Sequence, residues 1–252
     1  MEPILTADNL TKIFDEKGKE KFTAVDHISF QLYPGETLGI VGESGSGKST
    51  LAKMISRLTD ITEGNLFLCG KEITRVKGKA LRRAYEDIQM VFQSPAASFD
   101  PRRTLGDGIG ESLRNHGVSK VNVQKEAVRL LKECGLSPEF ADRYPHEVSG
   151  GQCQRAAIAR ALAIRPKILI CDEATSALDV TVQQQIMELL GRMREEREIA
   201  CIFICHNLGL VQSFCDRLLV MYEGKIVEEG TPDEVIKNPR SNYTKELIEA
   251  VL

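Results

Sequence analysis

GIVGESGSGKST, residues 39–50, joins an apolar run to a glycine-rich loop that ends in a lysine and two hydroxyls. Gly42 to Ser49 fits the spacing G-x-x-x-x-G-K-[ST]. The preceding ETLGIVG reads as a strand after the turn at Pro34 and Gly35, and the following KSTLAKMISRL has helical spacing. Strand, loop and helix in that order are the setting a phosphate-binding loop requires. Gly42, Gly45 and Gly47 let the backbone wrap a phosphate, so that successive N–H groups through Glu43, Ser44 and Ser46 point inward. The helix that follows adds the positive end of its dipole. Lys48 is expected to reach the β- and γ-phosphates and the Ser49 hydroxyl to bind Mg²⁺, with Thr50 beside it. A nucleoside triphosphate is the expected ligand, but the loop alone does not choose among kinases, GTPases, motors and transporters.

Outward from the loop, 252 residues are enough for one large domain, or for a core with a smaller attached lobe. The formal net charge of −3 gives no global reason to expect nucleic acid or an anionic membrane surface as partner. No apolar run reaches the roughly 18 to 20 residues of a membrane-spanning helix, and MEPILTADNL lacks the apolar core of a signal peptide. The chain is therefore expected in the cytoplasm. Seven cysteines, scattered through apparent helices and strands, fit reduced thiols better than a disulfide framework. Cys201, Cys205 and His206 stand close together, yet IACIFIC reads as a buried strand in which Cys serves as a small apolar residue.

The first forty residues read as short strands, PILTADNL, FTAVDHISFQLY and ETLGIVG. From about Ser94 to Arg165 the pattern changes to helical segments, TLGDGIGESLRNH, VQKEAVRLLKECG and GGQCQRAAIARALAI, as of a helical lobe inserted into the core. KILICDE and IACIFICH are apolar, β-branched runs separated by the amphipathic TVQQQIMELLGRMREERE, an alternation that indicates a parallel sheet covered on both faces. DRLLVMYEGKIVEEG reads as a hairpin turning at EGK.

In KILICDEATSALD, Ile168 to Cys171 put Asp172 at the carboxyl end of a buried strand, where a phosphate-loop site holds Mg²⁺ by a carboxylate. Glu173 is then the candidate general base that polarises the attacking water. In HEVSGGQCQR, Ser149, Gly150, Gly151 and Gln152 precede an amphipathic helix, so a hydroxyl, glycine N–H groups and a helix dipole converge on a second phosphate-binding surface.

Taken together, the loop at Gly42 to Ser49, VSGGQ, ILICDE, SALD and the histidine after IACIFIC occur in the order of the ATP-binding cassette (ABC) ATPases, and the chain resembles that family over essentially its whole length. The resemblance implies an α/β fold. Its P-loop NTPase core would be a RecA-like mixed sheet flanked by helices, with an N-terminal antiparallel β subdomain and an inserted α-helical subdomain. It implies a single domain over 1–252, with 1–93 and 166–252 as core and 94–165 as the helical signature subdomain. It implies ATP and Mg²⁺ as cofactors and ATP hydrolysis as the activity. Phe14 in LTKIF matches the aromatic residue that stacks on adenine. Gln93 in VFQSP matches the Q-loop glutamine that contacts Mg²⁺ and water. Asp179 matches the D-loop aspartate at the dimer interface, and His206 the histidine on the γ-phosphate. In this family the signature of one subunit closes over ATP held by another, which accounts for two phosphate-binding surfaces in one chain.

Within the family, FQSPAASFDPRRTLGDGIGESL resembles the NPR segment of the peptide and nickel importer group, with Asp100 for the usual Asn. NPRSNYTKELIEAVL resembles that group's P-x-x-x-Y-T tail, with Ser241 and Asn242 for His-Pro. The implied partners are a second ABC ATPase chain, either related but distinct or a second copy of this one, two transmembrane permease subunits and, indirectly, an extracytoplasmic binding protein, with no nucleic acid. The implied location is the cytoplasmic face of the bacterial membrane. The tail, ending at Leu252, is shorter than in many peptide-importing relatives, which favours a nickel or metallophore cargo over a peptide. The competing expectation is a soluble ABC ATPase of an enzyme complex, such as phosphonate-degrading machinery.

Overall fold

Alternation between apolar and polar residues favours strands near the start of the chain. β1 (Leu5–Phe14) pairs antiparallel with β2 (Phe22–Leu32). The computed structural model describes residues 1–15, 21–174 and 180–251. β3 (Thr37–Val41) leads into α1 (Lys48–Ile55), and then come β4 (Glu63–Leu68), β5 (Lys71–Glu72), α2 (Gly78–Asp87) and β6 (Ile88–Val91). Helices follow: α3 (Leu105–Ile109), α4 (Glu111–Asn115), α5 (Lys120–Glu133) and α6 (Gly150–Leu162). The chain then alternates through β7 (Ile168–Asp172), α7 (Val180–Arg197), β8 (Ala200–Ile204) and α8 (Leu208–Phe214). It ends in β9 (Arg217–Tyr222), β10 (Lys225–Gly230), α9 (Pro232–Lys237) and α10 (Asn242–Val251).

Two sheets result. One is antiparallel in the order β2-β1-β4-β5, and the other runs β10-β9-β3-β8-β7-β6. In the second sheet every pairing is parallel except β9 with β10. This is the mixed α/β architecture with an N-terminal antiparallel sheet that the sequence implies.

β7 and β8 are buried at every position because helices or the antiparallel sheet cover both of their faces. Their two-residue period divides the core. Leu169, Cys171, Cys201 and Phe203 join one cluster with the helices α5, α6 and α7, while Ile168, Ile170, Ala200, Ile202 and Ile204 join another with β1, β2 and α1. Truncating one of these isoleucines to Ala removes packing from a filled interior and costs about 2–5 kcal/mol. The helical stretch over 104–116 is divided at Gly110 into α3 and α4, with Thr104 capping the first by accepting the Asp107 N–H at 3.2 Å.

Candidate functional site

Parallel strands in register bring their carboxyl ends to one edge of the sheet, and a site at such an edge collects residues that are distant in sequence. The loop 42–47 leaves the end of β3 and Asp172 closes β7. Glu173 follows Asp172, His206 lies two residues past β8, and Gln93 two past β6.

Within the loop, Gly42 has φ 148° and Gly47 φ 103°, both in the region that disfavours a side chain. A Cβ at Gly42 would lie 2.1 Å from the Met221 carbonyl oxygen, and one at Gly47 would lie 2.3 Å from that of Ala24. The loop is thus seated against β9 on one side and β2 on the other. Lys48 is buried, and its ammonium donates to the carbonyls of Gly42 (2.7 Å) and Glu43 (2.6 Å) and to Ser46 Oγ (3.3 Å). Burial lowers its pKa, opposed by the negative charges of Glu173, Asp172 and Glu43. Glu43, Ser44 and Gly45 are exposed at the tip, while Ser46 is buried and Gly47, Ser49 and Thr50 are half-buried.

The Ser49 hydroxyl donates to Asp172 Oδ1 at 3.0 Å, tying the start of α1 to the end of β7. Asp172 is buried, and burial raises its pKa despite that hydrogen bond. Glu173 has φ 49°, a left-handed conformation that is strained for a residue with a Cβ. Its N–H still donates to the Ile204 carbonyl at 3.0 Å, so the backbone turns sharply without leaving the sheet. The side chain accepts from Gln93 Nε2 at 2.6 Å. Two residues that are 80 positions apart therefore meet beside the Ser49–Asp172 pair. His206 is exposed on a backbone fixed from both sides, after the buried Cys205 and before Asn207, whose side chain caps α8 by accepting the Leu210 N–H at 3.2 Å.

Ser149 is the N-cap of α6. Its hydroxyl accepts the Gln152 N–H at 3.3 Å, and Gln152 Oε1 accepts the Ser149 N–H at 2.9 Å. Ser149 and Gly150 are exposed, whereas Gly151 is buried against Val182 of α7, where a Cβ would lie 2.7 Å from Cγ1. α6 packs on α3, α5 and β6, so this turn is carried by the helical segments and not by the strand ends. Phe14 ends β1 and is 40 % exposed, with the Lys12 ammonium 5.0 Å from its ring centroid. Asp179 lies outside the described residues.

One neighbour of the loop is absent from the sequence reading. The Tyr243 hydroxyl accepts the Glu43 N–H at 2.8 Å, from 200 residues away in the chain. Nothing local to Tyr243 signals this contact, because it is made by the docking of α10.

A sequence model of the family described as "ABC transporter" matches residues 25–176. The Oligopeptide transport ATP-binding protein OppF of Salmonella typhimurium is 48% identical over 230 residues, which span 90% of this chain and 69% of that protein. The Glutathione import ATP-binding protein GsiA of Pectobacterium atrosepticum is 45% identical over 257 residues, 99% of this chain but 41% of that longer protein. Among solved structures, the dimeric post-hydrolysis state of the ATP-binding cassette MJ0796 bound to ADP and Pi superposes with a TM-score of 0.82. It shows 30% identity, covering 90% of this chain and 98% of that one.

Proposed function

Because the chain belongs to the ABC transporter family and is an ATPase of that family, we propose that it hydrolyses MgATP between its own phosphate loop and the Ser149 turn of a second ATPase chain, powering uptake of oligopeptides. The observation that carries this reading is the meeting of Gln93 and Glu173, at 2.6 Å, beside the Ser49–Asp172 pair. Glu173 orients and polarises the attacking water, and Gln93 holds Glu173 and reports the state of the site to the segment that follows it. Lys48 turns from the loop carbonyls to the β- and γ-phosphates. His206 contacts the γ-phosphate, and Phe14 offers its ring to the adenine. The loop N–H groups from Ser44 to Thr50 cradle the phosphate chain, while that of Glu43, expected from the sequence to join them, is taken by Tyr243.

The donors suit Mg²⁺. Ser49 Oγ, Asp172 Oδ1 and the amide oxygen of Gln93 are hard oxygen atoms, and the buried Asp172 carboxylate is one that a divalent cation compensates. When bound, the ion neutralises charge on the β- and γ-phosphate oxygens.

The second chain supplies Ser149, Gly150, Gly151 and Gln152 across the nucleotide. The superposition on a dimeric cassette bound to ADP and Pi supports this arrangement. A related but distinct partner ATPase, two permeases and an extracytoplasmic binding protein complete the proposed assembly at the cytoplasmic face of the membrane. Among the described residues no helix is long and apolar enough to cross a membrane. In the proposed assembly, attachment runs through the permeases. For that contact we take the groove of about 390 Å³ between α2 and α4, whose lining includes Tyr85, Gln89, Ser112 and Asn115, with residues 94–165 as the rotating helical unit. The relatives named for oligopeptide and glutathione import favour a peptide cargo over a nickel or metallophore one.

Replacement of Glu173 by Gln tests the core of the reading. ATP binding should persist, turnover should fall by about 100-fold or more, and ATP should hold the chains as a stable dimer in gel filtration. Turnover unchanged in E173Q would remove Glu173 from the mechanism.

A further inference from the structure

The P-x-x-x-Y-T tail has no part in the chemistry above, yet one of its side chains touches the phosphate loop. α10 is seated at its start by Glu228 of β10, a buried carboxylate that accepts the N–H groups of Arg240 (2.8 Å) and Ser241 (3.0 Å). That seat brings the Tyr243 ring onto Tyr222 at the end of β9, with centroids 4.2 Å apart and planes at 32°. Held by its ring, Tyr243 points its hydroxyl at the Glu43 peptide and accepts its N–H at 2.8 Å. The turn after Tyr222 makes a second link, since the Gly224 N–H donates to the Ser46 carbonyl at 3.0 Å. Two peptides of the loop, one on each side of its exposed Ser44–Gly45 tip, are therefore fixed by the C-terminal third of the chain.

We propose that Tyr243 is a positioning residue for the nucleotide: its hydroxyl pre-orders the phosphate loop, so that the docking of α10 sets affinity for ATP and ADP. The inference rests on the reading of residues 42–49 as the phosphate cradle. The physical argument is one of entropy. A peptide released at Glu43 regains backbone freedom, which nucleotide binding must then remove, and a lost neutral hydrogen bond adds to that cost. The loss falls on binding, because Tyr243 touches neither Glu173 nor Asp172 in this arrangement. It should therefore raise KM and leave kcat nearly unchanged.

The experiment compares Tyr243→Phe, which keeps the ring on Tyr222, with Tyr222→Phe, which removes a hydroxyl that does not serve the loop. ATP and ADP affinities are measured by titration calorimetry on the full chain, with KM and kcat measured alongside. Y243F should bind both nucleotides about 2- to 10-fold more weakly, with kcat within about twofold and the melting temperature of the nucleotide-free protein little changed. Y222F should bind as the parent does. Equal affinities in parent and Y243F, an equal loss in Y222F, or a fall in kcat or melting temperature without a change in affinity would each overturn the proposal. If Y243F does not fold, amide exchange decides in the parent chain: the Glu43 N–H should be protected, and exchange at the rate of a free amide overturns the assignment. Lys48→Ala separates the two levels, because undiminished ATP binding in that variant would defeat the phosphate-cradle reading itself.

Discussion

Glu173 concentrates the tension between folding and function in one residue. Its φ of 49° puts a side-chain-bearing residue where glycine is at ease, and the turn this produces directs the carboxylate to Gln93. Such strain persists where surrounding contacts over-determine it, here the Ile204 carbonyl on one side and Gln93 on the other. Two substitutions isolate the backbone term. Glu173→Gly and Glu173→Ala both remove the carboxylate and should both be inactive. The glycine variant should nevertheless be the more stable by about 1 kcal/mol in urea unfolding, because only glycine relaxes the backbone. At this scale much was legible in the sequence. Lys48, Ser49, Asp172 and Glu173 are the residue types that phosphate and Mg²⁺ chemistry demands, at spacings the chain shows directly. The left-handed turn at Glu173 was not legible, since no glycine marks it.

Among the elements, α4 and α2 are joined by an imidazole. His116, at the C-terminal end of α4, has Nδ1 2.7 Å from the Ser112 carbonyl and Nε2 2.9 Å from the Glu86 carboxylate of α2. Both partners only accept, so the doubly protonated ring alone satisfies both. The carbonyl of Ser112 and then the Glu86 carboxylate raise the pKa of His116 above its ordinary value. Arg82 lines a pocket that Glu86 and His116 share, and Glu126 and Arg165 line a second one with the same pair. The sign follows from the raised value. The clamp contributes fully below the unfolded pKa of about 6.5 and is lost as pH rises through the higher folded pKa. The melting temperature of the parent should therefore exceed that of His116→Gln most at about pH 6, with the gap closing toward about pH 8.5 in thermal scans. The effect should be small and salt-sensitive, because the ring is substantially exposed. α2 was invisible to pattern reading for a related reason. GKALRRAYED is short and charged, and its apolar face is only Leu81, Ala84 and Tyr85, of which Ala84 alone is fully buried. β4 and β5 were likewise not singled out, since EGNLFL and KE are short and acquire their strand character from pairing with β1 and with each other.

At the scale of the molecule, the helical segments and the strand-end site are joined by the segment after Gln93. Arg160 of α6 donates to the Ser98 carbonyl and lies 4.5 Å over the Phe99 ring, so that segment is fastened to the helix that begins at Ser149. Burial lowers the pKa of this guanidinium without removing its charge at any physiological pH. The groove between α2 and α4 opens beside the same fastening. Asn115→Trp, an exposed substitution in that groove, should leave nucleotide binding by the isolated chain unaltered and abolish co-purification with the permeases. Retained permeases would move the contact elsewhere. The order of motifs made the overall architecture readable, because strand–loop–helix units force a parallel sheet. Contacts such as Glu43 with Tyr243 or Gln93 with Glu173 depend on how whole elements dock, which no local pattern encodes.

The exposed Ser149 turn sits at the head of α6 while the phosphate loop sits at the strand ends, so in the proposed assembly each chain offers one half of two different composite sites. A lesion in such a chain is not confined to its own nucleotide. A cell expressing Glu173→Gln beside the parent gene would fill shared transporters with clamped, unreleased subunits. With one copy of this chain in each proposed transporter, the defect would then scale with the share of the variant among the copies made.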